Sequence, residues 1–139
     1  MADKTKFIEE LNAKYQPKGE YIVLGKGMLD GEVITEVDVN IPLKTINRHG
    51  LIAGATGTGK TKTLQVFVEQ LSHKGIPTLV MDIKGDLSGI AVEGEQNDKI
   101  NERYAKTKLP YQPQSFPVEL MTISAEKGLK LRATVTEFG

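Results

Sequence analysis

The stretch Gly54-Ala55-Thr56-Gly57-Thr58-Gly59-Lys60-Thr61 constrains this chain more than any other. It fits G-x-x-x-x-G-K-[ST] at every defined position. Glycines at 54, 57 and 59 let the backbone curl so that successive N–H groups turn toward one point. The flanks supply the anchors that such a turn needs. Leu51-Ile52-Ala53 is a short apolar run suited to a strand entering the turn, and Leu64, Phe67, Val68 and Leu71 fall at i, i+3, i+4 and i+7 on one helix face. Strand, glycine-rich turn and helix together form the setting of a phosphate-binding loop. The helix N-terminus adds partial positive charge and free N–H donors. In that arrangement Lys60 reaches the β- and γ-phosphates and the Thr61 hydroxyl ligates Mg²⁺. A Gly/Thr-rich turn that matches by chance would still have to account for both flanks. The expectation is a chain that binds a nucleoside triphosphate, or descends from one that did.

Composition narrows the surroundings of this loop. The 139 residues suggest one domain with a core, and 39% hydrophobic and 26% charged residues are ordinary for a globular protein. Eighteen basic and 18 acidic residues cancel, so no global field draws the chain to nucleic acid or an anionic membrane. A local patch or an assembled ring is still compatible with DNA. The lack of cysteine excludes disulfides, thiolate nucleophiles and Cys-based metal sites. No apolar stretch approaches a membrane span, and the N-terminus carries no signal-peptide apolar region. The expectation is a cytoplasmic domain without a membrane partner.

Ahead of the loop, residues 3–15 have the pattern of an amphipathic helix. Phe7, Ile8, Leu11 and Tyr15 cluster on one side, Lys6–Glu10 and Glu10–Lys14 are i, i+4 pairs, and Pro17 and Gly19 end the segment. It either packs on its own domain or docks a partner. From Tyr21 to Leu43 the period changes to two. Tyr21–Leu24 is an apolar run, Gly25, Gly27 and Asp30-Gly31 are turn signals, and Val33-Ile34 with Val37, Val39 and Ile41 makes a second strand ending near Pro42. Arg48 and His49 lead into the loop, either as a solvated turn or as contacts to nucleotide or a neighbouring subunit. The expected division is 1–49, a helix plus a small β layer, and 50–139, a P-loop NTPase part.

Behind the loop, a helix from about Lys60 to Lys74 is capped by Gly75 and stopped by Pro77. His73 and Lys74 suit the negative end of its dipole. Thr78-Leu79-Val80-Met81 resembles a strand buried on both faces, which makes Leu51–Asp82 a βαβ crossover of ordinary size. Asp82 then sits where open α/β sheets bind ligands. Two readings stand side by side: a ligand of Mg²⁺-bound water in the Walker B manner, or a carboxylate that, with Asp86, caps the turn into Leu87-Ser88-Gly89-Ile90. Residues 92–117 are poorer in apolar side chains. They contain a polar helix around Asp98–Lys106, with Lys99, Arg103, Lys106 and Lys108 as either a basic stripe or a solvated mixed-charge face. Val118–Ile123 suggests another strand, and Leu129–Val135 after Gly128 a hairpin or edge strand.

After Asp82 no strand ends in an acidic pair, and the chain has room for fewer strands than a doubly wound NTPase sheet holds. The expected architecture is therefore an incomplete α/β core belonging to the N-terminal part of a longer protein. The run Asn47–Gln65, followed by Met81–Gly89, by Phe116-Pro117-Val118-Glu119 and by Gly128…Leu131-Arg132-Ala133-Thr134-Val135, is similar to the bacterial HerA-like ATPases of the YjgR type. These belong to the FtsK–HerA group of RecA-like motors, and the segments beyond the loop match in order. The resemblance implies an additional-strand sheet, ATP and Mg²⁺, assembly into a homo-oligomeric, hexameric ring, and DNA translocation by the full-length protein. It implies a nucleotide site at Gly54, Ala55, Thr56, Gly57, Thr58, Gly59, Lys60, Thr61 and Lys62, with Asp82 near the nucleotide and not in the Walker B strand. It gives this chain no counterpart of the family's Walker B acids, sensor residue or arginine finger. Two other functions remain open from the sequence: a small P-loop phosphotransferase with Arg103 and Lys106 as its lid, or a nucleotide-binding interaction module without turnover.

Overall fold

A computed structural model describes residues 3–131. The polypeptide begins with helix α1 (Lys4–Tyr15), capped by Asp3, whose Oδ1 accepts from the Thr5 and Lys6 N–H groups at 3.0 and 3.3 Å. Strands β1 (Tyr21–Leu29) and β2 (Glu32–Pro42) follow as an antiparallel hairpin. Its two-residue turn has both φ angles positive, +49° at Asp30 and +85° at Gly31. That conformation matches the right-handed twist of the strands and favours an Asp-Gly pair.

Gly25 and Gly27 are not turn residues, contrary to the sequence expectation. They lie inside β1, at two shifts of register. Leu24 is an extra residue facing the step from Asn40 to Val39, while Thr35, Glu36 and Val37 bulge out of β2 between the pairs Gly27↔Ile34 and Lys26↔Asp38. The larger bulge resets the side-chain alternation, so Ile34 and Val37, three positions apart, are both buried. It also closes a polar knot. The Lys26 ammonium donates to Thr35 O at 2.9 Å and pairs with Asp38 at 2.6 Å, although its side chain is only 10% exposed. With Ile22, the residues Ile34 and Val37 form the apolar centre of the fold.

Helix α1 packs on β2, which decides between its two sequence readings. Asn40 donates to Tyr15 O at 3.0 Å, Lys4 pairs with Glu36 at 3.9 Å, and Phe7 lies beside Gly27. Helix α2 (Lys60–His73) packs on β1 and buries Leu71. Its C-terminus is a Schellman closure: Ile76 N–H reaches Leu71 O at 3.0 Å, Gly75 N–H reaches Ser72 O at 2.9 Å, and Gly75 takes φ +70°. Lys74 then pairs with Glu20 at 3.5 Å, tying this end to the start of β1. His73 finds more than a helix dipole, since its ring meets Phe116 edge-on at 5.1 Å and Gln114 at 2.8 Å. Helix α3 (Asp98–Thr107), capped by Asn97, packs on β2, and Glu102 and Lys106 pair along it at 2.7 Å.

The parallel sheet expected around the loop does not form among the described residues. Leu51–Ala53 and Thr78–Met81 carry no ladder hydrogen bonds, and Leu51, Leu79 and Met81 are 89%, 78% and 91% exposed. A strand of a parallel sheet gains its stability from neighbours on both edges and cover on both faces. Neither run has them here. The later strands are also shorter than expected: β3 (Met121–Thr122) and β4 (Leu129–Lys130). They pair in parallel and not as a hairpin, through Leu129 N–H to Leu120 O and Leu131 N–H to Thr122 O, both at 2.8 Å. The rest of the expected Leu129–Val135 strand lies outside the described residues.

Candidate functional site

The glycine-rich loop folds on a single acceptor. Ala55 O receives the Thr58 N–H at 3.4 Å, the Thr58 hydroxyl at 2.8 Å and the Lys60 ammonium at 2.7 Å. Closing so tight a turn requires left-handed backbone, and Gly57 and Gly59 supply it with φ of +80° and +92°. Gly59 is also the N-cap of α2, without any side chain over the helix end. The first N–H groups of the helix therefore have neither an intrahelical partner nor a capping oxygen. Intrahelical bonding starts at Thr63, whose N–H and hydroxyl reach Gly59 O at 2.9 and 3.1 Å. At Gly54 any side chain would collide with the loop, because a Cβ would stand 2.5 Å from Thr58 Oγ1.

Beside this loop runs an open groove of about 490 Å³. One wall is Thr56, Gly57, Lys60, Thr61 and Leu64; the other is the segment Met81–Lys84 with Asp86 and Leu87. The structure thus brings Lys60, Thr61 and Asp82 to one cavity. Gly54, Ala55, Thr58, Gly59 and Lys62 are not part of its lining and shape or flank the loop from behind. Arg48 and His49 lie in an exposed turn away from the groove, as do Arg103 and Lys106 on α3. Lys106 instead borders a second hollow with Gly31, Glu32 and Val33 at the hairpin tip.

Asp82 is a capping carboxylate. Its Oδ1 accepts from the Lys84 and Gly85 N–H groups at 3.2 and 2.9 Å, and its Oδ2 from Leu87 N–H at 2.7 Å. These backbone donors, Leu87 first, hold its pKa below the ordinary carboxylate range. Gly85 turns the chain at φ +77°, and Ser88 closes the segment with a hydroxyl bond to Gly85 O at 2.9 Å. The capping reading of Asp82 is the one the hydrogen bonds bear out, and the same carboxylate lines the groove. It organises a turn, and that turn is a wall of the cavity.

Sequence reasoning missed the residue that joins the walls. Gln65 is a polar side chain on α2, only 7% exposed, and its amide donates to Asp86 O at 2.9 Å. Periodicity could not reveal it, because its partner is a backbone carbonyl 21 residues further along the chain.

The donor set fits a polyphosphate: a lysine ammonium, a hydroxyl and unpaired helix N–H groups converge at a loop whose first glycine leaves no room for a side chain. No group of three or more His, Cys, Asp or Glu able to hold a metal exists among the described residues.

Comparison with known proteins gives the chain a family. The profile of the family described as "Helicase HerA-like C-terminal" matches residues 28–139. The probable helicase MJ1565 of Methanocaldococcus jannaschii is 35% identical over 78 residues, which cover 53% of this chain and 15% of that protein. The DNA double-strand break repair helicase HerA of Saccharolobus solfataricus is 32% identical over 78 residues, covering 56% of this chain and 14% of that protein. The chain therefore spans a small part of the length of either relative. No solved structure matches it. Because the profile covers well over half of the residues, loop and groove included, the chain belongs to the HerA-like helicase C-terminal family.

Proposed function

We propose that this chain is the nucleotide-binding portion of a HerA-like ATPase and takes ATP as its Mg²⁺ complex. The observation that carries the reading is the convergence of Lys60, Thr61 and the uncapped N-terminus of α2 on the groove, behind a loop bent by Gly57 and Gly59. In this reading Lys60 exchanges Ala55 O for β- and γ-phosphate oxygens. The free N–H groups of the first turn bind the remaining phosphate charge, and Thr61 holds the cation. Bound Mg²⁺ supplies neutralisation of phosphate charge. Gly57 and Gly59 let the backbone turn its N–H groups toward the phosphates, and Lys62 adds positive charge beside the cradle. Residues 1–49 serve as the supporting layer of a nucleotide-binding part at 50–139.

Turnover is assigned to the full-length protein. The names of the relatives, a probable helicase and a DNA double-strand break repair helicase, support a DNA-directed motor. A homo-oligomeric, hexameric ring in the cytoplasm is the form we propose for it. No helix among the described residues is long and apolar enough to cross a membrane. A phosphotransferase reading gains nothing from the structure, because Arg103 and Lys106 do not line the groove.

Isothermal titration of wild type and Lys60→Ala with ATP·Mg²⁺ tests the binding reading. Loss of a charge-assisted contact is expected to weaken affinity about tenfold or more, with the melting temperature unchanged. Equal affinity in the two proteins would remove the phosphate-cradle assignment.

A further inference from the structure

Most of what holds the groove together is local. Asp82 reaches three backbone N–H groups within five residues of itself, and Lys60 bonds to a carbonyl five residues before it. The turn at 82–87 has few other supports: Asp82 and Asp86 are exposed, and Ile83 is 100% exposed. Gln65 crosses from the loop's helix to this turn. It stands one helical turn after Thr61, so its side chain leaves the helix on the side from which Thr61 faces the groove. Hydrogen bonding to Asp86 O at 2.9 Å explains why an uncharged polar group is buried at the edge of an apolar helix face.

We propose that Gln65 is a positioning residue of the nucleotide groove: by holding Asp86 O it keeps the acidic turn Asp82–Leu87 against the helix that carries Lys60 and Thr61. The turn so held makes the groove select cation-complexed triphosphate over free triphosphate. This rests on the reading that the groove binds a nucleotide. The selection is electrostatic. Asp82 and Asp86 bring negative charge to the wall facing Lys60 and Thr61, and a free ATP, with all its charge unscreened, is repelled by that wall. The Mg²⁺ complex carries two fewer negative charges and presents a cation to the same wall. A turn released from Gln65 carries its carboxylates away from the facing wall, and the longer, more screened path discriminates less.

The test titrates ATP with Mg²⁺ and ATP in excess EDTA into wild type, Gln65→Met, Gln65→Leu and Lys60→Ala. Amide exchange of Lys84, Gly85 and Leu87 is followed in parallel. Gln65→Met keeps the length of the side chain without adding charge, so it loses the donor alone. In both Gln65 variants the ratio of Mg²⁺-bound to free ATP affinity is expected to fall about two- to tenfold, the range that one neutral hydrogen bond is worth. Free ATP affinity should stay within about twofold, and the three amides should exchange faster. If Gln65→Leu does not fold, Gln65→Met decides. Gln65 variants that keep the wild-type ratio, or that lose both ligand forms in parallel, overturn the proposal. Lys60→Ala should weaken both forms with the ratio preserved. If it weakens neither, the binding reading itself fails, a pattern distinct from a Gln65 failure.

Discussion

Two regions rich in Val, Ile and Leu have opposite fates in this molecule. In the hairpin β1–β2, Ile22, Ile34 and Val37 are 1%, 4% and 0% exposed, under cover from α1, α2 and α3. The runs flanking the phosphate loop are as apolar, yet Leu51, Leu79, Met81 and Ile83 face solvent. Hydrophobicity is the same; pairing is not. The hairpin finds its partner strand across a two-residue turn, so its hydrogen bonds close locally and its apolar face meets helices of the same chain. A parallel strand needs a partner delivered by a crossover, and a buried one needs cover on both faces. The apolar residues around the groove stay exposed because neither run has a paired neighbour on its edges or cover on its faces.

The contrast can be broken by substitution. Ile22→Ala, at the hairpin core, is expected to cost about 2–5 kcal/mol in urea unfolding, as large-to-small changes at buried sites do. Gly27→Ala should follow. A Cβ there would stand 3.1 Å from Val37 Cγ1 and 3.2 Å from Val37 Cβ, in a core already closed by Phe7, and overpacking of this kind costs about 1–3 kcal/mol. Acid separates the regions in another way. The Asp82 carboxylate has its pKa lowered by backbone donors, so its contribution is present above the ordinary carboxylate range and is lost as pH falls through the lowered value of the folded state. The amides of Gly85 and Leu87 should therefore lose protection, measured against their intrinsic exchange rates, at a higher pH than the hairpin amides do. The smallest effect belongs to the exposed run. Ile83→Ser is expected to change stability by no more than about 0.5 kcal/mol, and a loss as large as that of Ile22→Ala would show that the run is packed in solution.

Local elements were legible in the order of residues. The limits of α2, the Asp30-Gly31 turn, the Asn97-capped helix α3 and the loop at Gly54–Thr61 each declare themselves within a few residues, through caps, positive-φ positions and period. Gly25 and Gly27 were misread as turn residues for a physical reason. A glycine signals freedom of backbone, but whether that freedom serves a turn or a bulge depends on the strand opposite. Likewise, Asp82 could be read as ligand or cap because both uses put a carboxylate after an apolar run; only the positions of the Lys84, Gly85 and Leu87 N–H groups show the cap.

What the amino-acid order determined alone is the glycine-rich loop and the helix behind it, because their geometry is set by glycine conformations and by periodicity over neighbouring residues. The tertiary structure decided three things: that Lys26 and Asp38 close the bulge of the hairpin, that β3 and β4 run parallel, and that Gln65 joins the helix to the acidic turn. Each depends on groups distant in sequence meeting at hydrogen-bond range. No local pattern encodes such a meeting, since each depends on how separate segments pair or pack.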